Sequence, residues 1–330
     1  MGDDMSSSSP SSRPAAWAIE TRGLTKYYGG RPVVHSLDLR IPVGSVYGFL
    51  GRNGAGKSTT IRMLTGMLNP DFGEAFLLGE EASSLSTSAR ARIAYLAEGH
   101  PLYGWMTVGG IERFTRSFYD KWNSRLYEQI IDHFELPRKK RIRRLSNGQR
   151  AQVSLALAVA PEPELLILDD PTLGLDTVVR RDFLESLIQI IHREGRTILF
   201  SSHVLGDVER IADRIGILVD GVLRVDCPTE QFKQSIRKLI LTFTGPPPPF
   251  PAMTGIVSDR SVGHRRELVI ANYSDAHRLA AEELKPLSTD ELELNLEDAF
   301  IEYTRGPRRS LPVFDGEPTH VPSAGLQGVA

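Results

Sequence analysis

The sequence predicts an α/β fold, a largely parallel sheet with helices on both faces. Three observations predict it. Val46-Tyr47-Gly48-Phe49-Leu50 and residues 165–168 and 197–200 are short apolar runs with the length and content of buried strands. Segments of helical periodicity alternate with them, as parallel neighbours require. The first run leads into Gly51-Arg52-Asn53-Gly54-Ala55-Gly56-Lys57-Ser58 and then a helix over residues 57–67. Strand, glycine loop, helix is the context in which such a loop cradles phosphates.

The other elements follow in chain order. Residues 18–22 and 33–41 alternate apolar and polar positions and read as strands. Between about 107 and 145 the chain reads as a small helical subdomain. Its Phe114, Phe118, Tyr119, Trp122 and Tyr127 recur at helical spacing and are expected to pack in a core. Residues 147–160 form a helix, and 177–193 a long amphipathic one. A second unit begins near Pro228. Residues 239–244, 267–270, 275–283 and 292–303 read as a small α+β domain interrupted by a rigid turn or linker, Gly245-Pro246-Pro247-Pro248-Pro249. The expected division is a tail over 1–16, a main domain over 17–227 with its helical part at about 100–160, a small domain over 228–305, and a tail over 306–330.

Bulk properties remove several classes of function. A net charge of −2 gives no global pull toward nucleic acid or anionic lipid. One cysteine, Cys227, excludes an internal disulfide framework and fits a reducing compartment. The longest apolar run, near residues 153–160, is far below the roughly 18 residues of a membrane span. The Ser- and Pro-rich residues 1–16 lack the apolar core of a signal peptide and read as disordered, as do those after Arg305. Met1-Gly2-Asp3-Asp4-Met5-Ser6 matches a loose myristoylation pattern, which the two acids after the glycine argue against.

The residues that carry chemistry begin with the loop. Gly51, Arg52, Asn53, Gly54, Ala55, Gly56, Lys57, Ser58 and Thr59 are the candidate nucleotide-binding set. Glycines permit the close approach of backbone N–H groups to an anion, and the helix start adds its positive end. Lys57 can reach the outer phosphates, Ser58 can ligate Mg²⁺, and Thr59 can bond an inner phosphate. Asp169 stands at the C-terminal edge of a buried strand, where ligands sit in open α/β sheets, and is a second Mg²⁺ ligand. Asp170 follows, facing the other way by strand alternation, and can polarise an attacking water.

With these motifs stand Leu145-Ser146-Asn147-Gly148-Gln149, Leu173-Gly174-Leu175-Asp176 and Ser202-His203. In that order, over residues 17–226, the chain resembles an ATP-binding-cassette (ABC) ATPase subunit. The resemblance implies a P-loop cassette with an antiparallel β subdomain and a helical subdomain. It implies a D-loop with Asp176 at a dimer interface and His203 as a switch contacting the γ-phosphate. It implies adenine stacking by Tyr28, with Tyr27 as the alternative; an aromatic offers a flat face at low entropy cost. Residues 93–98 resemble the Q-loop, with Glu98 where Gln is usual, a candidate catalytic residue and water-mediated Mg²⁺ ligand. Leu102-Tyr103-Gly104-Trp105-Met106 is the best candidate to touch a partner.

Two further positions depart from the family. Asn147 replaces the first glycine of the signature, leaving Ser146, Gly148 and Gln149 to address the ATP of an opposite subunit. Asp170 replaces the usual glutamate, roughly 1.5 Å shorter in reach, and a base must come within about 3 Å of its water. The resemblance implies ATP and Mg²⁺ as cofactors, hydrolysis in a homodimer or paired ABC ATPase, and a separate membrane permease subunit. The location implied is the cytoplasmic face of the membrane, peripherally bound. The small C-terminal domain with Leu296-Glu297-Asp298-Ala299-Phe300 points to an exporter-type system. The alternatives are a soluble ABC ATPase acting on ribosomes or DNA, and an ATP-gated module with little hydrolysis. The basic run over 138–144 lacks the interleaved aromatics of a nucleic-acid platform, so it reads as a solvated face and no nucleic-acid partner is expected.

Overall fold

The computed structural model describes residues 17–305 and 314–315, so the expectations for the two tails, including the myristoylation pattern, lie outside the described residues. The described residues fall into two compact units, 17–45 with 58–199, and 46–57 with 200–305 and 314–315.

The first unit opens with an antiparallel sheet. Trp17–Tyr28 pairs with Arg31–Pro42 on one side and Phe72–Leu77 on the other. Leu37, Leu39 and Ile41 are buried in alternation with exposed neighbours, the period of two that marks a half-buried strand. A parallel pair follows, Ile93–Leu96 beside Leu165–Asp169. The latter is buried along its whole length, which explains its continuous apolar run. The unit's longer helices are Val108–Arg116, Ser124–His133, Asn147–Val159 and Thr177–Glu194. Thr107, Asn123, Ser146 and Asp176 cap their N-termini through side-chain oxygens.

Two expectations need correction here. The helix after the glycine loop spans Lys57–Leu64, short of residue 67, because Gly66 turns into the left-handed region at φ +69°. The aromatics of the helical subdomain divide. Tyr127 is buried, whereas Phe114 and Phe118 are 39% and 69% exposed. Phe114 packs edge-to-face on Phe118 and on Tyr103, which in turn neighbours Trp105, so these rings form a surface cluster. Helical spacing puts residues on one face; it does not say whether that face meets a core.

The fully buried strand Thr197–Ser201 carries the chain into the second unit. There Val46–Gly51 lies parallel to Arg214–Val219, which pairs antiparallel with Val222–Pro228. Gly216 faces Tyr47 so closely that a Cβ would stand 2.2 Å from the tyrosine Oη. A separate antiparallel sheet follows, in the order Ile256–Val262, Arg265–Ala271, Ile236–Thr242, Ser288–Glu293. Helix Asp275–Glu283 belongs with it, and Leu239, Leu241, Phe243, Phe250, Leu268, Ile270 and Ala281 form its own core. Helix Leu296–Arg305 closes the described chain apart from the short strand Phe314–Asp315. Residues 292–303, expected within the small α+β domain, form the end of strand Ser288–Glu293 and most of helix Leu296–Arg305.

Candidate functional site

In the second unit the buried strand Val46–Gly51 ends at the glycine loop. Gly54 and Gly56 take φ +81° and +106°, values that a side chain would strain. Ala55 N–H donates to the Arg52 carbonyl at 3.0 Å, closing the turn. Lys57 opens the helix, is buried, and donates from Nζ to the Gly51 carbonyl at 2.8 Å. Its ammonium is therefore folded over the loop. Arg52, Asn53 and Gly54 are exposed, and Ala55 and Gly56 buried. His203 follows the strand Thr197–Ser201. With Gly51, Arg52, Asn53, Ser202, Leu205 and Phe300 it lines a cleft of about 390 Å³. Sequence reasoning missed Phe300 as a wall of this cleft; it enters the sequence reading only as the end of Leu296-Glu297-Asp298-Ala299-Phe300.

In the first unit Ser58 donates from Oγ to Asp169 Oδ1 at 3.2 Å. A hydroxyl and a carboxylate oxygen side by side are the hard donors that suit Mg²⁺. Asp169 is buried at the end of its strand. Tyr95, on the neighbouring strand, has its pKa raised by burial and then by the negative charges of Asp169 and Glu98. Glu98 is exposed just beyond that strand, and Thr59 is half-buried. Asp170 lies past the strand end at φ +47°, and its carbonyl accepts from Leu173 N–H at 3.1 Å. Strand alternation therefore does not set its direction, contrary to the sequence argument. His100 is a further group that no sequence signal revealed. It is buried at φ +51°, between the Glu98 loop and Pro171, and burial lowers its pKa.

Ser146, Asn147, Gly148 and Gln149 form the start of helix Asn147–Val159 as a reciprocal cap. Gln149 N–H donates to Ser146 Oγ at 3.1 Å, and Ser146 N–H donates to Gln149 Oε1 at 3.3 Å. The Ser146 hydroxyl accepts in this cap and keeps its own proton to donate. Ser146 and Asn147 are exposed; Gly148 is buried where a Cβ would meet Val179 Cγ1 at 2.7 Å. Asp176 caps the helix carrying Val179, accepting from Val178 and Val179 N–H at 3.1 and 3.0 Å. Tyr28 is 50% exposed at its strand end, whereas Tyr27 packs edge-to-face on Phe72. The open ring is the better platform for a base.

A family model described as ABC transporter matches residues 34–173. The chain is 31% identical over 291 residues to the ABC transporter ATP-binding protein YtrB of Bacillus subtilis (strain 168), covering 88% of this chain and 99% of that one. It is 36% identical over 219 residues to the Nod factor export ATP-binding protein I of Rhizobium johnstonii, covering 64% and 70%. A solved structure described as the ATP binding subunit of an ABC transporter superposes with a TM-score of 0.61 at 26% identity, covering 66% of this chain and 92% of that one. Among the described residues no helix is long and apolar enough to cross a membrane.

Proposed function

The chain belongs to the family of ABC transporter ATP-binding proteins and is an ATPase subunit coupled to a membrane transporter, and we propose that it works as a pair, closing around two ATP molecules to drive an exporter. The observation that carries the ATPase reading is the Ser58 hydroxyl at 3.2 Å from Asp169, directly after a lysine folded onto its own phosphate loop. Gly51 to Gly56 offer backbone N–H groups to the phosphates, Lys57 offsets charge on the outer ones, and Thr59 bonds an inner one. Ser58 and Asp169 would hold Mg²⁺, with Glu98 as a further ligand acting through water, and the metal would supply charge neutralisation on the phosphate oxygens. Asp170 orients the attacking water, His203 holds the γ-phosphate, and Tyr28 stacks on adenine. In this reading the cassette is residues 17–227 and the small α+β domain 228–305.

Ser146 supports the paired arrangement, because its exposed hydroxyl stands at a helix N-terminus ready for an anion. With Asn147, Gly148 and Gln149 it addresses the ATP of the opposite chain, and Asp176 lies at that interface. ATP then acts as a ligand of the closed pair. The Tyr103, Trp105, Phe114 and Phe118 cluster suits contact with the permease subunit, and the location is peripheral on the cytoplasmic face. Export is supported by the name of the Nod factor relative.

Light scattering of the Asp170→Asn chain tests the pairing: its mass doubles with ATP and stays single when Lys57→Ala is added. No doubling with ATP refutes the shared site. Lys57→Ala alone is expected to lose nucleotide binding, measured with a fluorescent analogue.

A further inference from the structure

The first turn of the signature helix holds one cation, Arg150, which the mechanism above does not use. Its Nη2 donates to Asn147 Oδ1, one turn back. That bond draws the guanidinium toward the helix N-terminus, the end where the Ser146 hydroxyl opens. A cation there opposes the positive end of the helix dipole. The arrangement makes electrostatic sense once an anion binds at the same end.

Asn147 is what holds the arginine there. A glycine, usual at this position in the family, has no acceptor to offer. A planar guanidinium fixed in this way can give two parallel N–H groups to phosphate oxygens. Glu98 supplies a reason for the extra cation, since it adds a negative charge where the family has a neutral amide.

We infer that Arg150, positioned by Asn147, is a catalytic residue supplied in trans: its guanidinium binds the γ-phosphate oxygens of the ATP held by the opposite chain and offsets the charge added by Glu98. The inference rests on the shared-site reading above. Water forms the new bond to γ-phosphorus as the bond to the bridging oxygen breaks, its electron pair leaving with ADP. The water proton passes by way of Asp170 to the phosphate released. Arg150 takes no proton; it stabilises charge on the three oxygens in flight.

The test is steady-state phosphate release. Arg150→Ala is expected to lower kcat about 10²- to 10³-fold with KM little changed, the range seen on removing one preorganised donor, and Arg150→Lys to recover part of it. Asn147→Gly is expected to lower kcat by less than Arg150→Ala, and the two losses to combine less than additively, because contacting groups are non-additive. Arg150→Met retains the side-chain stem and replaces the alanine variant should that one fail to fold.

Mixing decides the trans assignment. A Lys57→Ala chain mixed with an Arg150→Ala chain forms pairs with one intact site, so activity rises above either alone. The control mixes Lys57→Ala with Ser146→Ala. If the control recovers and the Arg150 mixture does not, the trans assignment is overturned while the shared site stands. Recovery in neither mixture overturns the shared site itself, and the inference with it. An unchanged kcat in Arg150→Ala overturns the catalytic role.

Discussion

Replacing Ser146 separates two roles held by one oxygen. The hydroxyl accepts from Gln149 N–H at 3.1 Å and completes the reciprocal cap with Gln149 Oε1. Ser146→Ala leaves that N–H without its acceptor, which costs about 1 kcal/mol, within a range of roughly 0.5–2. In a domain of this size that is a fall in melting temperature of about 2–4 °C. Ser146→Gly costs only a few tenths of a kcal/mol, because glycine lets water reach the helix end. Both variants lack the hydroxyl proton that would meet the γ-phosphate, so both should lose about 10²- to 10³-fold in turnover. Thermal melts and phosphate release on the same preparations give the comparison. The expected pattern is equal loss of activity with unequal loss of stability. A glycine variant that turns over like the parent, or activity that tracks melting temperature across the pair, would refute the reasoning.

Three further outcomes can be measured. Asp170→Asn keeps the side-chain shape but cannot accept a proton, so phosphate release should fall about 10²- to 10⁴-fold while ATP binding persists; an unchanged rate removes Asp170 from the mechanism. Gly216→Ala forces a methyl against the buried Tyr47 ring, costing about 1–3 kcal/mol by overpacking. Adding Tyr47→Phe removes the nearest atom and should recover part of that loss in a denaturant titration; no recovery would show that the clash lies elsewhere. Burial raises the pKa of Asp226 above its ordinary 3.8, more than Arg214 and Tyr47 lower it. Its contribution to stability is thus full at pH below the unfolded value and is lost as pH rises through the folded value. Asp226→Asn should therefore gain relative to the parent as pH climbs from about 3.8 through the folded value; a difference that does not vary with pH would contradict this.

The strands that carry the site were legible because each is buried on both faces. Leu165–Asp169 and Val46–Gly51 leave no choice but apolar runs, and each ends in residues of narrow chemistry. Ser288–Glu293 was not legible. All six residues are exposed on an edge strand, so no period of two is written into them, and their partner Ile236–Thr242 is far away in sequence. The site was legible where backbone demands and chemistry coincide, as at Gly54, Gly56 and Lys57. His100 and Phe300 were hidden for the opposite reason. Their importance comes from tertiary neighbours, Pro171 for one and the phosphate loop for the other. Phe114 and Phe118 show that periodicity reports a face and leaves its partner unnamed.

The left-handed backbone of Asp170 bears on how this site can change. Aspartate and asparagine enter that region several times more readily than longer side chains, because a short polar side chain can satisfy the local backbone. Exchanging Asp170 for the family's usual glutamate is therefore two alterations at once: a longer reach and a less tolerant backbone. A substitution that looks like a simple restoration has to carry the turn at Pro171 with it. The length of the carboxylate and the path of the chain behind it form a single heritable choice, open to joint revision more easily than to stepwise repair.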